Sequence, residues 1–100
     1  MSAAPFHHVI LIRLRQGVSL AEVRDARAEL QALVETLPGV LHLTVSENLA
    51  EKNAGYTLAL FSVFEDRAAF EIFRRHPEWI RVERDFLAPI QDASIHAEGG

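Results

Sequence analysis

The sequence contains no cysteine, which excludes disulfide bonds, thiol chemistry and thiolate metal sites from its 100 residues. It also lacks a long apolar run, because Val9–Ile12 is too short to cross a membrane or to form the core of a signal peptide. Charges are spread along the chain, the formal net charge is -4, and no basic patch suggests nucleic acid. We therefore expect a cytoplasmic protein with neither a nucleic acid nor a membrane as its partner.

Motifs for familiar chemistry are missing as well. There is no phosphate-binding glycine loop, no serine in a nucleophile motif and no histidine pair at helical metal-ligand spacing. His7 and His8 are neighbours on a predicted strand and point to opposite faces, so they cannot readily bind one metal ion. A mononuclear site from His8, His42 and a carboxylate is a weaker alternative. We expect neither a metal nor a cofactor.

What is present is an ordinary globular composition with a clear central unit. The hydrophobic fraction of 49% argues against disorder, and the length predicts a single domain over residues 1–100 with a core at about 6–97. The central unit is Gly55–Pro77, an apolar strand followed by a short amphipathic helix. That strand is apolar at almost every position, so both of its faces must be covered.

The apolar patterns predict four strands, at Phe6–Arg15, Val40–Leu49, Tyr56–Phe64 and Ile90–Ala97. A capping box at Ser19 and Glu22 begins a first helix that ends at Leu37-Pro38-Gly39. A second helix spans Arg67–Arg75, and a short third helix begins at Pro77 and is broken by Ala88-Pro89. On the second strand Leu41, Leu43 and Val45 are expected to share a face. Trp79, Val82, Glu83 and Phe86 are expected to share a face of the third helix, and Glu98–Gly100 is expected to be a tail.

This order, β-α-β-β-α-β, predicts an α+β fold of the ferredoxin-like, split β-α-β type with a four-stranded antiparallel sheet. The helices cover one face of the sheet. The other face holds apolar residues from at least two strands, and a chain of this length has little left to cover it. We therefore predict a two-fold homodimer in which the sheets of two copies pack face to face.

The sequence also resembles the stress-responsive α/β-barrel (Dabb) domain family, of the dimeric α+β barrel superfamily, from His8 to about His96. Four features in order carry the resemblance: H-x-x-L-I-R-L at His8–Leu14, L-P-G-V at Leu37–Val40, G-Y-x-L-A-L-x-x-x-F-E at Gly55–Glu65, and His76-Pro77. The resemblance implies a homodimer whose two four-stranded sheets close into a barrel. It implies little about activity, since most members have no assigned reaction.

A few members of that family look like plant polyketide cyclases, whose sites combine several histidines with a tyrosine. The first-strand histidine is matched by His8, but the other positions are occupied by Leu58, Phe73 and Trp79. Phenylalanine cannot donate a proton and the tryptophan ring nitrogen cannot accept one. The acid–base pair of those enzymes is therefore absent, and only a more apolar pocket is expected to persist.

Two sets of candidate residues follow. The ligand pocket is predicted to be lined by His8, Phe73, Trp79, Phe86 and Leu58. His8 is the candidate catalytic base, because it shares its strand face with Ile10 and Ile12, whereas the face of His7 ends in arginines. Burial would lower the pKa of His8 and keep its ring neutral. No obvious second polar group accompanies it; the weak candidates are Tyr56, Thr44 and Ser62.

Each candidate also has a purely structural interpretation. His8 is then a strand histidine with one hydrogen bond, and His76 caps the helix that begins at Pro77. The aromatic side chains then belong to the core, and Arg74 and Arg75 form a solvated helix end rather than an anion clamp.

Three functions therefore remain open. The first is a Dabb-type stress-response homodimer of unassigned activity that binds a small apolar or aromatic metabolite. The second is a cofactor-free enzyme of the polyketide cyclase or monooxygenase-like kind that uses His8. The third is a purely structural dimer without a ligand.

Overall fold

The computed structural model describes residues 4–100, and the placement of its elements follows the predicted order. The elements are β1 (Phe6–Leu14), α1 (Leu20–Thr36), β2 (Val40–Glu47), β3 (Leu58–Phe64), α2 (Arg67–Arg75), α3 (Pro77–Val82), a π turn (Glu83–Leu87) and β4 (Gln91–Gly99). The four strands form one antiparallel sheet in the order β2-β3-β1-β4. The predicted ferredoxin-like α+β fold is confirmed.

Side chains at the helix ends explain where the helices begin. Ser19 Oγ accepts from the backbone N–H of Glu22 at 3.1 Å, and the Glu22 carboxylate accepts from the backbone N–H of Ser19, so the predicted capping box is present. Asp66 caps α2 by accepting from the backbone N–H of Ala69 at 2.8 Å. His76 Nδ1 accepts from the backbone N–H of Glu78 at 3.1 Å and caps α3. The structural interpretation of His76 is thus the observed one.

One face of the sheet carries the core. Alternate residues of β1 and β3 point towards the helices and are almost fully buried, as their period of two requires. They meet apolar side chains from α1, α2, α3 and the π turn; the buried set includes Ile10, Ile12, Leu30, Leu33, Leu60, Phe64, Phe70, Val82 and Leu87. Burial of each such side chain contributes about 1.5–3 kcal/mol.

A β-bulge at the start of β2 changes which residues of this strand face the core. The register with β3 shifts between Val40 and His42, so the strand carries an extra residue at this point. Val40 is buried beside Leu43, whereas Leu41 is 49% exposed. The prediction that Leu41 shares the buried face was wrong, because strict alternation takes no account of a bulge.

The π turn overturns a second prediction. The backbone N–H of Ala88 donates to the carbonyl of Glu83 at 2.8 Å, five residues back rather than four. The next residue after Val82 that faces the core is therefore Leu87, which is buried. Phe86 is only half-buried, and Glu83 is exposed. A regular α-helix would have placed Phe86 on the face of Val82, as the sequence predicted.

Among residues 4–100, no helix covers the far face of the sheet. β4 pairs with β1 as far as Gly99, so Glu98 and Gly99 of the predicted tail belong to a strand. On this face Phe61 is 45% exposed and Ile95 48% exposed, and Val9 and Leu11 lie between them on β1. We call these four residues the open face. None of the helices between residues 4 and 100 is long and apolar enough to span a membrane.

Candidate functional site

Two histidines from the first and last strands meet on the helix-covered side of the sheet. His8 Nε2 and His96 Nδ1 are 3.2 Å apart, and the rings are stacked with centroids 5.4 Å apart. His8 is only 4% exposed, whereas His96 is exposed. The pair therefore joins a buried ring to one that reaches solvent.

The strand registers explain this meeting. β1 and β4 are antiparallel, with His8 opposite Glu98 and Ile10 opposite His96. Directly opposed residues and alternate residues of a strand share a face, so His96 and Glu98 lie on the same side of the sheet as His8. His7 lies on the other face and is exposed, as the alternation of β1 predicts.

The surroundings of His8 favour a neutral ring. The edge of the ring meets Phe70 at a centroid distance of 4.9 Å. Burial lowers the pKa of His8, the neighbouring His96 lowers it further, and the Glu98 carboxylate partly raises it. Because the net shift is downward from the ordinary value of 6.5, the His8 ring is neutral at pH 7.

The hydrogen bonds around the pair assign its tautomers. His8 Nδ1 is buried and has no partner among residues 4–100. A proton on that nitrogen would be a buried donor without an acceptor, which is costly. The proton therefore belongs on Nε2, which donates to His96 Nδ1. His96 Nε2 then donates to Ser94 Oγ at 3.3 Å. The assignment comes from the bonding network, as it must for histidine.

A cleft of about 230 Å³ lies over the pair. It is lined by His8, Phe70, Arg74, Trp79, Glu83, His96 and Glu98. Its volume is below the 300–1,000 Å³ typical of sites for drug-sized ligands, so it suits one small molecule. We call it the His8 cleft. A shallower hollow of about 390 Å³ lies between α1 and Phe86, but no histidine lines it.

The structure brings only part of the predicted pocket together. His8 and Trp79 line the cleft, and Phe73 packs beneath Trp79 with centroids 5.0 Å apart. Leu58 is buried and pairs with Ile12, four residues further along β1 than His8. Phe86 faces the hollow beside α1, since the π turn rotates it away from the cleft.

The weak partners for His8 are also placed elsewhere. Ser62 Oγ donates to the backbone carbonyl of His8 at 3.1 Å and so has a structural role. Tyr56 lies under the guanidinium of Arg13 at 5.5 Å. Thr44 is exposed opposite Phe61 on the far face of the sheet.

The metal alternative gains no support from the placement of His42. It is exposed on β2, opposite Val63 of β3. Within residues 4–100 no three histidine or acidic side chains are placed to hold a metal ion.

His96 is the functional candidate that reasoning from the sequence missed. It is 88 residues from His8 in the chain, and no local pattern connects the two. The predicted strand order could have indicated His96, because it places the last strand beside the first. The alternation Ser94, His96 and Glu98 along that strand then provides a row of polar side chains on one face.

The fold and the cleft define a ferredoxin-like α+β domain with a histidine pair between its sheet and its helices. The model of the Stress responsive A/B Barrel Domain family (Dabb) matches residues 6–98. The chain belongs to this family.

Solved structures of the same fold are numerous but distant in sequence. A Dabb family protein from Mesorhizobium loti is 18% identical with a TM-score of 0.83, over 96% of this chain and 95% of that one. The hydroxynitrile lyase of Passiflora edulis is 18% identical with a TM-score of 0.85, over 95% and 91%. A protein of unknown function from Bacteroides fragilis, described as dimeric, is 18% identical with a TM-score of 0.80, over 99% and 98%. At this identity the likeness shows the fold alone. No curated protein matches the chain in sequence.

Proposed function

We propose that the protein binds a small apolar or aromatic molecule in the His8 cleft and transfers a proton to or from it without a cofactor. The observation that carries this proposal is the 3.2 Å contact between His8 Nε2 and His96 Nδ1. His8 Nε2–H donates to His96 Nδ1, so the contact joins one donor nitrogen to one acceptor nitrogen. A molecule that displaces this hydrogen bond meets the Nε2–H of His8 as an acid and Nδ1 of His96 as a base, as proton transfer at carbon or oxygen requires.

The protonation state of His8 supports this role. Its pKa is lowered by burial and by His96, so the ring is neutral at neutral pH. Its proton lies on Nε2, which is therefore the acid of the pair, and His96 Nδ1 is the base. The ring of His96 is exposed, so water can reach the pair and restore its protons after each turnover. A positioned acid–base group of this kind typically contributes about 10²–10⁴-fold to a rate.

The walls of the cleft support the choice of ligand. Phe70 and Trp79 are apolar rings on α2 and α3, and the cleft volume of about 230 Å³ admits one small molecule beside them. Aromatic ligands gain offset-stacked or edge contacts with such rings. That a hydroxynitrile lyase has this fold supports the idea that the scaffold can carry chemistry.

We further propose that the protein is a two-fold homodimer joined through the open face. Phe61 and Ile95 are large apolar side chains that remain about half exposed in the single chain. The protein from Bacteroides fragilis with the same fold is described as dimeric. The His8 cleft lies on the opposite side of the sheet, so dimer formation leaves it accessible.

A second candidate function is a purely structural dimer. Phe73 packs against Trp79 at 5.0 Å and against Phe64 at 4.9 Å, so the interior where a pocket was predicted is filled. In the proton-transfer function the ligand binds in the His8 cleft, beside this aromatic cluster. The structural function requires that the cleft bind nothing.

Deuterium exchange tests the proposed function. Phenylacetone, whose methylene protons are acidic, is incubated with the protein in D₂O, and the loss of the methylene signal is followed by ¹H NMR. We expect exchange to be faster than in buffer. The exchange rate should fall at least about tenfold in His8→Gln and His96→Gln and stay at the wild-type value in His7→Gln.

Mandelonitrile cleavage to benzaldehyde and hydrogen cyanide is a second probe. Exchange and cleavage at the buffer rate would overturn the proposal and favour the structural dimer.

A further inference from the structure

The charges that line the His8 cleft are unbalanced. Its single arginine, Arg74, donates from Nε to Glu71 Oε2 at 2.7 Å, within its own helix. Arg75 approaches the same carboxylate at 3.8 Å. The positive charge at the cleft is therefore already paired with a residue outside its lining.

Two carboxylates enter the cleft from different elements. Glu98 comes from β4, and Glu83 comes from the first position of the π turn. Both residues are exposed to solvent, and neither side chain makes a hydrogen bond or ion pair within residues 4–100. A π turn is an uncommon element that occurs often at functional sites.

The two arginines beside Glu83 in the sequence, Arg81 and Arg84, are paired with other carboxylates. Arg81 donates to Glu29 at 3.2 Å and to Glu78 at 3.3 Å. Arg84 donates to Asp85 at 2.8 Å. With His8 neutral, the cleft keeps a net negative charge.

His8 independently indicates that the cleft accepts a ligand. Its ring is 4% exposed, lines the cleft and leaves Nδ1 without a partner among the residues described. The Glu98 carboxylate acts on this ring, since it raises the pKa of His8 against the larger effect of burial. The negative charge and the histidine pair thus belong to one site.

We propose that the ligand of the His8 cleft is an aromatic molecule that carries a positively charged amine. Its ring lies against Phe70 and Trp79, and its ammonium group lies between the carboxylates of Glu83 and Glu98. This inference rests on the proposed function and names its ligand class. Carboxylate ligands are excluded by repulsion from the same two side chains, because Arg74 is already paired.

Three probes of similar size test the inference: 2-phenylethylamine, 2-phenylethanol and 3-phenylpropionate, titrated at low ionic strength by isothermal calorimetry. The wild type is expected to bind the amine at least about fivefold more tightly than the alcohol, and the acid most weakly. Glu83→Gln and Glu98→Gln should each weaken amine binding about two- to fivefold, as for partly exposed ion pairs. Glu35→Gln, an exposed change on α1 with the same effect on net charge, should not weaken it.

The outcomes separate the two proposals. If the alcohol binds as tightly as the amine, and neither glutamine variant changes amine binding, the amine inference is wrong while the cleft remains a ligand site. If the Glu35→Gln variant weakens amine binding as much as the cleft variants do, the preference comes from net charge and the inference is again wrong. If none of the three probes binds, both proposals are overturned.

Discussion

A Cβ atom at Gly39 would lie 2.8 Å from the Cβ of Ala69, closer than two such carbons approach in proteins. Gly39 also has a φ of 85°, a conformation that residues with side chains rarely adopt. The turn between α1 and β2 therefore needs glycine for two reasons. One is the backbone angle, and the other is the close approach of Ala69 of α2 to this turn.

The two reasons can be separated by comparing two glycines. Gly17 has a φ of 83°, but no atom lies within 4 Å of the position that a Cβ would take there. Gly17→Ala should lower the free energy of unfolding by about 1–2 kcal/mol, from backbone strain alone. Gly39→Ala should lower it by about 2–5 kcal/mol, since overpacking adds about 1–3 kcal/mol. Urea denaturation measures both, and equal losses would show that Ala69 yields without cost.

The open face predicts the state of association. In a sedimentation experiment at micromolar concentration the wild type should be a dimer that buries on the order of 1,600 Å² in total. Phe61→Glu places a charge at the centre of this face and should give a monomer. Ile72→Glu is the matched control, because Ile72 is 64% exposed on α2, away from the sheet. A monomeric wild type would show that the proposed homodimer is wrong.

The lowered pKa of His8 predicts how stability depends on pH. Burial is the main cause, so the unfolded chain binds a proton at His8 more readily than the folded chain does. The contribution of His8 is therefore fully present above its unfolded pKa of about 6.5. It is lost as the pH falls from there towards the folded value. Urea denaturation at pH 7.5 and 5.5 should show a larger loss of stability on acidification in the wild type than in His8→Gln. The same loss in both proteins would contradict the lowered pKa.

Much of the fold could be predicted because its signals are local. The capping box at Ser19 and Glu22 and the proline at Pro77 each act within one turn of helix, and the structure contains them as predicted. Two of the errors arose where one residue departs from the regular period. The bulge exposes Leu41, and the π turn buries Leu87 in place of Phe86.

The candidate site was only half predictable. His8 could be found from the alternation of β1, because the residues that share its face are apolar. His96 depends on a pairing between the first and last strands, and Glu83 enters the cleft through a π turn. Neither relationship can be recognised from the residues that are adjacent in the sequence. The polar side of the cleft therefore could not be predicted from local patterns alone.

Trp79 should report ligand binding to the cleft. It is 4% exposed and lines the cleft from α3. Its emission is expected to change on titration with 2-phenylethylamine. Phe70→Leu removes a ring from the cleft and should weaken this response, whereas Phe86→Leu alters a ring beside α1 and should leave it intact. Equal effects of the two variants would mean that the ligand does not lie between Phe70 and Trp79.

The pH dependence of deuterium exchange into phenylacetone tests most directly whether His8 and His96 act as a pair. The wild-type rate should fall with acid only below the ordinary histidine pKa of about 6.5, because burial and His96 both lower the pKa of His8. His96→Gln should reduce the rate and move the midpoint of the profile to higher pH, while His7→Gln should change neither. A midpoint that is the same in the wild type and in His96→Gln would contradict the account.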